Sequence, residues 1–146
     1  MVKVNFIKLN ENAVKPTYGS QFAAGADLYA CIDEILTIEP GDTFLVPTGL
    51  AMELPEGYAG LIYARSGLAS KKGLAPANKV GVIDSDYRGE IMVAIYNQSP
   101  CDQVIESGER IAQIVITPFI QAEFNLTDSL NETVRGTGGF GSTGIK

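Results

Sequence analysis

Pro40-Gly41, Pro47-Thr48-Gly49 and Pro55-Glu56-Gly57 follow one another so closely that only short runs survive between them. Proline removes an amide donor and fixes φ, and glycine reaches left-handed conformations, so each pair ends whatever precedes it. The runs between are too short for a stable helix and rich in Val, Leu, Thr and Phe, which favour strands. The same grain runs along the whole chain. Residues 2–9 alternate apolar and polar side chains, and residues 34–38, 43–46, 50–54, 58–64, 90–97, 110–117 and 119–124 form further short β-rich runs. Strands of this length, with turns about every eight to twelve residues, predict an all-β sandwich or barrel. Only Ser66–Lys72 reads as helix, with Ser66 placed to cap it and Gly73 to stop it.

Composition narrows the chemistry. The chain has 146 residues and no histidine, which removes Ser-His-Asp and Cys-His catalysis and His-ligated zinc. A general base has to be Asp, Glu, Lys or Tyr, and a metal has to be a hard ion held by oxygens. Eleven basic against 17 acidic side chains give a net charge of −6, which argues against duplex nucleic acid as a partner. Cys31 and Cys101 are expected to be buried small hydrophobes. No apolar run reaches the ~18 residues of a membrane span, and Met1-Val2-Lys3-Val4 opens like a folded pattern, so an intracellular location is expected.

The four arginines, Arg65, Arg88, Arg110 and Arg135, mark places worth inspection. Arg65-Ser66-Gly67 joins a strand to the helical turn, where a guanidinium, a hydroxyl and backbone N–H groups suit an anion. Arg135 heads a glycine-rich tail, a second place for an anion nest. Two separated anion sites fit a polyphosphate better than one carboxylate. Residues 81–90, with Asp84, Asp86 and Glu90, read as an acidic hairpin, and Val82-Ile83 is placed to half-bury Asp84 as a base toward water.

Five segments then belong together. Ala24-Gly25-Ala26-Asp27-Leu28-Tyr29-Ala30, Ala64-Arg65-Ser66-Gly67-Leu68-Ala69, residues 81–91, Gly108-Glu109-Arg110-Ile111-Ala112-Gln113-Ile114-Val115 and residues 135–144 resemble, in order and spacing, the five motifs of the trimeric deoxyuridine triphosphatases. Ala26 and Ala64 are mild variants at supporting positions. The resemblance implies a jelly-roll-like β-barrel over residues 1–128 and a flexible arm over 129–146 that closes on the site. It implies a homotrimer with shared sites that splits dUTP into dUMP and pyrophosphate, limiting uracil in DNA and supplying dUMP for thymidylate synthesis.

Residue by residue, the resemblance makes Asp84 the base that activates water toward the α-phosphorus. Arg65, Ser66, Gly67 and Gln113 would hold phosphate oxygens, and Arg135, Gly141, Ser142 and Thr143 would clamp the γ end. Asn78, Gly81 and the backbones of Ile83 and Met92 would pair with uracil. Tyr87 would lie on the deoxyribose and Phe140 over the base. Mg2+ would ride on the phosphates without a direct protein ligand, with Asp27 serving its water shell or the arm arginine. The alternatives on this fold are a dCTP deaminase-related enzyme and a non-catalytic scaffold.

Overall fold

The computed structural model describes residues 2–139 and consists of strands with one short helix. Phe140, Gly141, Ser142 and Thr143 of the expected arm lie outside the described residues. One sheet is ordered β1-β5-β9-β7, from Asn5–Lys8, Thr43–Glu53, Glu90–Asn97 and Leu74–Pro76. The other is ordered β2-β3-β11-β6-β8, from Thr17–Tyr18, Ala26–Tyr29, Arg110–Pro118, Tyr58–Tyr63 and Gly81–Ile83. A two-stranded ribbon pairs β4 (Leu36–Ile38) with β10 (Gln103–Ile105). The pairings are antiparallel. This is the all-β class that the turn spacing anticipates and the jelly-roll-like fold that the resemblance implies, its hydrogen bonding divided among sheets and not closed into one barrel.

Alternation explains where the core sits. Ile91, Val93, Ile95 and Asn97 of β9 point inward while the residues between them are more exposed, the period-two signature of a strand buried on one face. Leu28, Ile38, Leu50, Leu74 and Ile111 meet them in one cluster with almost no exposed area. Each such side chain contributes roughly 1.5–3 kcal/mol by leaving water. Asn97 is the polar exception, and its amide is fully used. Its Nδ2 donates to the carbonyls of Ile38 and Cys101 at 2.8 and 2.9 Å, and its Oδ1 accepts from Ser99.

Several expectations are corrected. Residues 43–46 and 50–54 are one strand, because Pro47-Thr48-Gly49 forms a bulge and not a turn. Gly49 sits there at φ +67, and a Cβ on it would lie 2.8 Å from Ala13 and 2.9 Å from the Cys31 sulfur. Residues 119–124 form no strand, since β11 ends at Pro118 and no described strand pairs with them. Ser66 does not cap α1 (Ser66–Lys72). Arg65 occupies the cap position without a side-chain bond to the helix, while Gly73 ends the helix at φ 66 as expected. Cys101 is exposed, and only Cys31 is buried, where desolvation first and then Glu90 and Asp33 push its thiol pKa up. Among the described residues no helix is long and apolar enough to cross a membrane.

Candidate active site

Most of the sequence-marked residues fall into two groups, one across the five-stranded sheet and one where its edge strand β8 passes over to β9 of the other sheet. The first is a row across three strands. Asp27 on β3 lies opposite Gln113 on β11, and Gln113 lies opposite Tyr63 on β6. Ala26, Ile62 and Ile114 face the core, so by alternation this row occupies the sheet's outer surface. Arg65 comes just beyond β6, and its Nε donates to Asp27 Oδ1 at 2.6 Å. The second carboxylate oxygen accepts from Arg110 Nη1 at 3.3 Å. Asp27 is buried, and a buried carboxylate is tolerable when both oxygens meet cations.

Gln113 is fixed as firmly. Its Nε2 donates to the Ala64 carbonyl at 2.9 Å. Gly25 supplies the room, because a Cβ there would collide with Gln113 Oε1. Ser66 and Gly67, both exposed, open α1 beside this row. Two arginines and one aspartate leave the cluster a net positive charge, suited to an anion. A helix of seven residues adds little dipole of its own.

The second group gathers at the far side of β6. Ile83, Asp84, Tyr87 and Met92 line a cavity of about 300 Å³ together with Leu45, Val82 and Glu90. Tyr87 is held there by its hydroxyl, which donates to the Glu90 carbonyl at 3.0 Å, and its ring rests where a side chain on Gly89 would stand. The segment is not the expected hairpin. Strand β8 pairs with β6 in one sheet and β9 with β5 and β7 in the other, so residues 84–89 cross between sheets. Asp84 is exposed, not half-buried, because Val82 beside it faces solvent. Asn78 and Gly81 lie close together, since a Cβ on Gly81 would be 3.3 Å from Asn78 Nδ2. Between them Lys79 takes a left-handed φ of 65, with Val80 N donating to Asn78 O at 2.7 Å.

The groups do not meet within one chain. Ile83 pairs with Gly60, and Arg65 lies five residues farther along, about 16 Å at strand rise. Arg65 also turns toward Asp27 on β3, whereas Asp84 continues from β8 on the opposite flank of β6. Arg135 stands apart from both, its Nε donating to the Gly138 carbonyl at 2.8 Å.

A family model described as dUTPase matches residues 11–144. The chain is also 54% identical over 145 residues to the deoxyuridine 5'-triphosphate nucleotidohydrolase of Desulfitobacterium hafniense, covering 99% of this chain and 96% of that protein. The chain belongs to the dUTPase family. A second relative, the nucleotidohydrolase of the same name from Paraburkholderia phytofirmans, is 52% identical over 130 residues, 88% of each chain. In three dimensions the chain resembles a mutant dUTPase of Staphylococcus bacteriophage 80alpha with dUpNHpp. The TM-score is 0.89 at 29% identity, over 98% of this chain and 99% of that one. A mutant dUTPase from phage phi11 of S. aureus, described for coordination of a structural Mg(II) ion, gives 0.80 at 26% identity over 89% and 99%.

Membership in this family of hydrolases gives the two groups one context, because both lie inside the dUTPase match. Sequence marks Arg110 as one of four arginines and as a member of the fourth motif, and attaches no role to it. Gly25 stands in the first motif, but its use as space for Gln113 emerges only from packing.

Proposed function

We propose that this dUTPase hydrolyses dUTP to dUMP and pyrophosphate, with Asp84 as the general base. Asp84 takes a proton from water as its oxygen bonds to the α-phosphorus, and the α–β bridging oxygen departs with the pyrophosphate. With no histidine in the chain, a carboxylate is the apt acceptor, and aiming the water in line is the larger part of the task. What supports the reading most is the cavity that sets Asp84 beside Tyr87, Ile83 and Met92 in a dUTPase-family chain.

Within that reading, Arg65, Ser66, Gly67 and Gln113 hold phosphate oxygens, and Arg135, Gly141, Ser142 and Thr143 close on the γ end. Asn78, Gly81 and the backbones of Ile83 and Met92 face uracil, Tyr87 faces the deoxyribose and Phe140 covers the base. Cytosine presents an amino group where uracil has O4, leaving backbone donors unpaired at about 1–3 kcal/mol each. Magnesium, when bound, neutralises phosphate charge. Among the described residues no three acids or cysteines gather into a cage, and both Asp27 oxygens are taken by arginines. That donor set fits an ion held by the substrate's own oxygens and water.

Separation of the two groups favours sites shared between copies, and a homotrimer supplies them. The segment after β11 leaves Ile120, Phe124, Leu126, Leu130 and Val134 nearly fully exposed, apolar surface that a neighbouring copy is suited to cover. Residues 129–146 act in this reading as the arm that closes over a neighbour's nucleotide. The reaction limits uracil incorporation into DNA and supplies dUMP for thymidylate synthesis, which places it with an intracellular nucleotide pool.

Purified protein incubated with magnesium and dUTP, dCTP, UTP or dTTP in separate reactions tests the assignment. Rapid release of dUMP and pyrophosphate from dUTP alone is expected. Equal turnover of all four, or deamination of dCTP, would overturn it.

A further inference from the structure

The outer-face cluster contains one cation, Arg110, that the proposed reaction leaves without a role. Arg110 opens β11, and the register places it opposite Tyr29, with Gln113 opposite Asp27. Arg110 and Gln113 are three positions apart, yet Tyr29 and Asp27 only two, so β11 carries one extra residue at the irregularity between Arg110 and Ala112. In a regular strand, side chains three apart project from opposite faces. The bulge cancels that alternation and puts Arg110 on the same outer face as Gln113 and Asp27. Bulges beside functional sites commonly re-aim a side chain in this way.

The hydrogen bonds show what the re-aimed arginine reaches. Arg110 Nη1 engages Asp27 Oδ2 and Arg65 Nε engages Asp27 Oδ1, so one buried carboxylate is held from two sides. The Arg110 side chain is 51% exposed and that of Arg65 25% exposed. Arg65 therefore has the more desolvated and shorter contact. Among the described residues its two terminal nitrogens meet no acceptor, because Asp27 occupies only Nε. Arg65 is thus anchored along one edge with the other edge presented outward.

We propose that Arg110 is a positioning residue for Arg65 and acts through Asp27. By holding the second oxygen it stops the carboxylate from rotating and offsets its charge, so that Arg65 keeps its terminal nitrogens toward the phosphates. Arg110 itself does not grip the nucleotide. The inference rests on the reading of Arg65 as a phosphate ligand, and it adds an orienting partner to that site.

A double-mutant cycle on the full chain separates this from direct binding. Affinity for the imido analogue dUpNHpp is measured for the unaltered chain, Arg65→Gln, Arg110→Gln and the double variant, with deoxyuridine as a probe lacking phosphate. Arg110→Gln is expected to weaken the analogue about tenfold and leave deoxyuridine unchanged, while adding less than about twofold in the Arg65→Gln background. Without nucleotide, the Arg65 Nε–H resonance is expected to shift in Arg110→Gln. Arg110→Lys, which keeps the charge, is expected to recover most of the affinity, and Arg110→Met takes the place of the glutamine variant in the cycle if that variant fails to fold. An unchanged analogue affinity, a fully additive double variant or an unmoved Arg65 resonance overturns the proposal. Failure of the unaltered chain to hydrolyse dUTP or bind the analogue counts instead against Arg65 as a phosphate ligand in a dUTP site.

Discussion

The two halves of the site are built to different standards within one chain. At the Asp27 end the long polar side chains are already held: Arg65 and Arg110 by the carboxylate, Gln113 by the Ala64 carbonyl and the space at Gly25. At the Asp84 end the tyrosine is anchored, but the carboxylate is exposed beside an open cavity. In the proposed reaction preorganisation matters most where several charges of a polyanion are gripped, and the Asp27 cluster is ordered for that within one chain. In that reaction Asp84 needs a further surface to exclude water and aim the attack. The contrast predicts that substitutions at the Asp27 end alter stability and binding, whereas those at the Asp84 end alter chemistry.

Asp84→Asn carries the largest expected effect. It keeps the side chain's size and removes the proton acceptor, so kcat should fall about 10²–10⁴-fold with nucleotide affinity largely kept. Its thermal midpoint should match the unaltered chain, because the Asp84 side chain has no hydrogen-bond partner among the described residues and its exposed position leaves no packing to lose. A clear loss of stability would show that the open end is structurally built in after all.

Asp27→Asn sharpens the contrast from the other side. The amide cannot neutralise two guanidinium groups, and like charges then face each other in a half-buried setting. Stability should drop by about 1.5–3 kcal/mol, the scale of lost charge-assisted hydrogen bonds, read from denaturant midpoints. An unchanged midpoint would mean that the cluster is only a surface arrangement.

Gly25→Ala is the mildest test. The added methyl displaces the flexible Gln113 amide, so loss of the bond to Ala64 O should cost about 1 kcal/mol and raise KM severalfold while kcat holds. A fall in kcat with KM unchanged would instead place Gln113 at the chemical step.

What sequence reveals tracks how local each feature is. Strand β9 and helix α1 are legible to the residue, because one is a run rich in strand-favouring Ile, Val and Tyr that begins after Gly89 and the other ends at a glycine that needs a left-handed φ. Strands β2, β3, β7 and β10 escape sequence reading, since two to four residues hold too little periodicity and exist only through their partners. The Pro47-Thr48-Gly49 bulge resembles a turn for a related reason: only pairing with β9 tells two extra residues from a reversal. Asp84, Tyr87 and Met92 are named from resemblance, and the structure gathers them around one cavity. The crossing of residues 84–89 between sheets is not legible, because an acidic turn between apolar runs suits a hairpin equally well. Arg110 stays unassigned in sequence since its orientation depends on a bulge set by register with β3.

Sharing of sites between copies requires Asp84 and Arg65 of one working site to come from different chains. Asp84→Asn chains and Arg65→Gln chains, each assayed alone and then refolded together in equal amounts, put that requirement to the test. Where each site draws Asp84 from one subunit and Arg65 from another, random mixing leaves both intact in about a quarter of sites. Recovery to about that fraction of the unaltered rate of dUTP hydrolysis is therefore expected. Activity in the mixture no higher than the average of the two variants would mean that one chain supplies both residues, and would contradict shared sites.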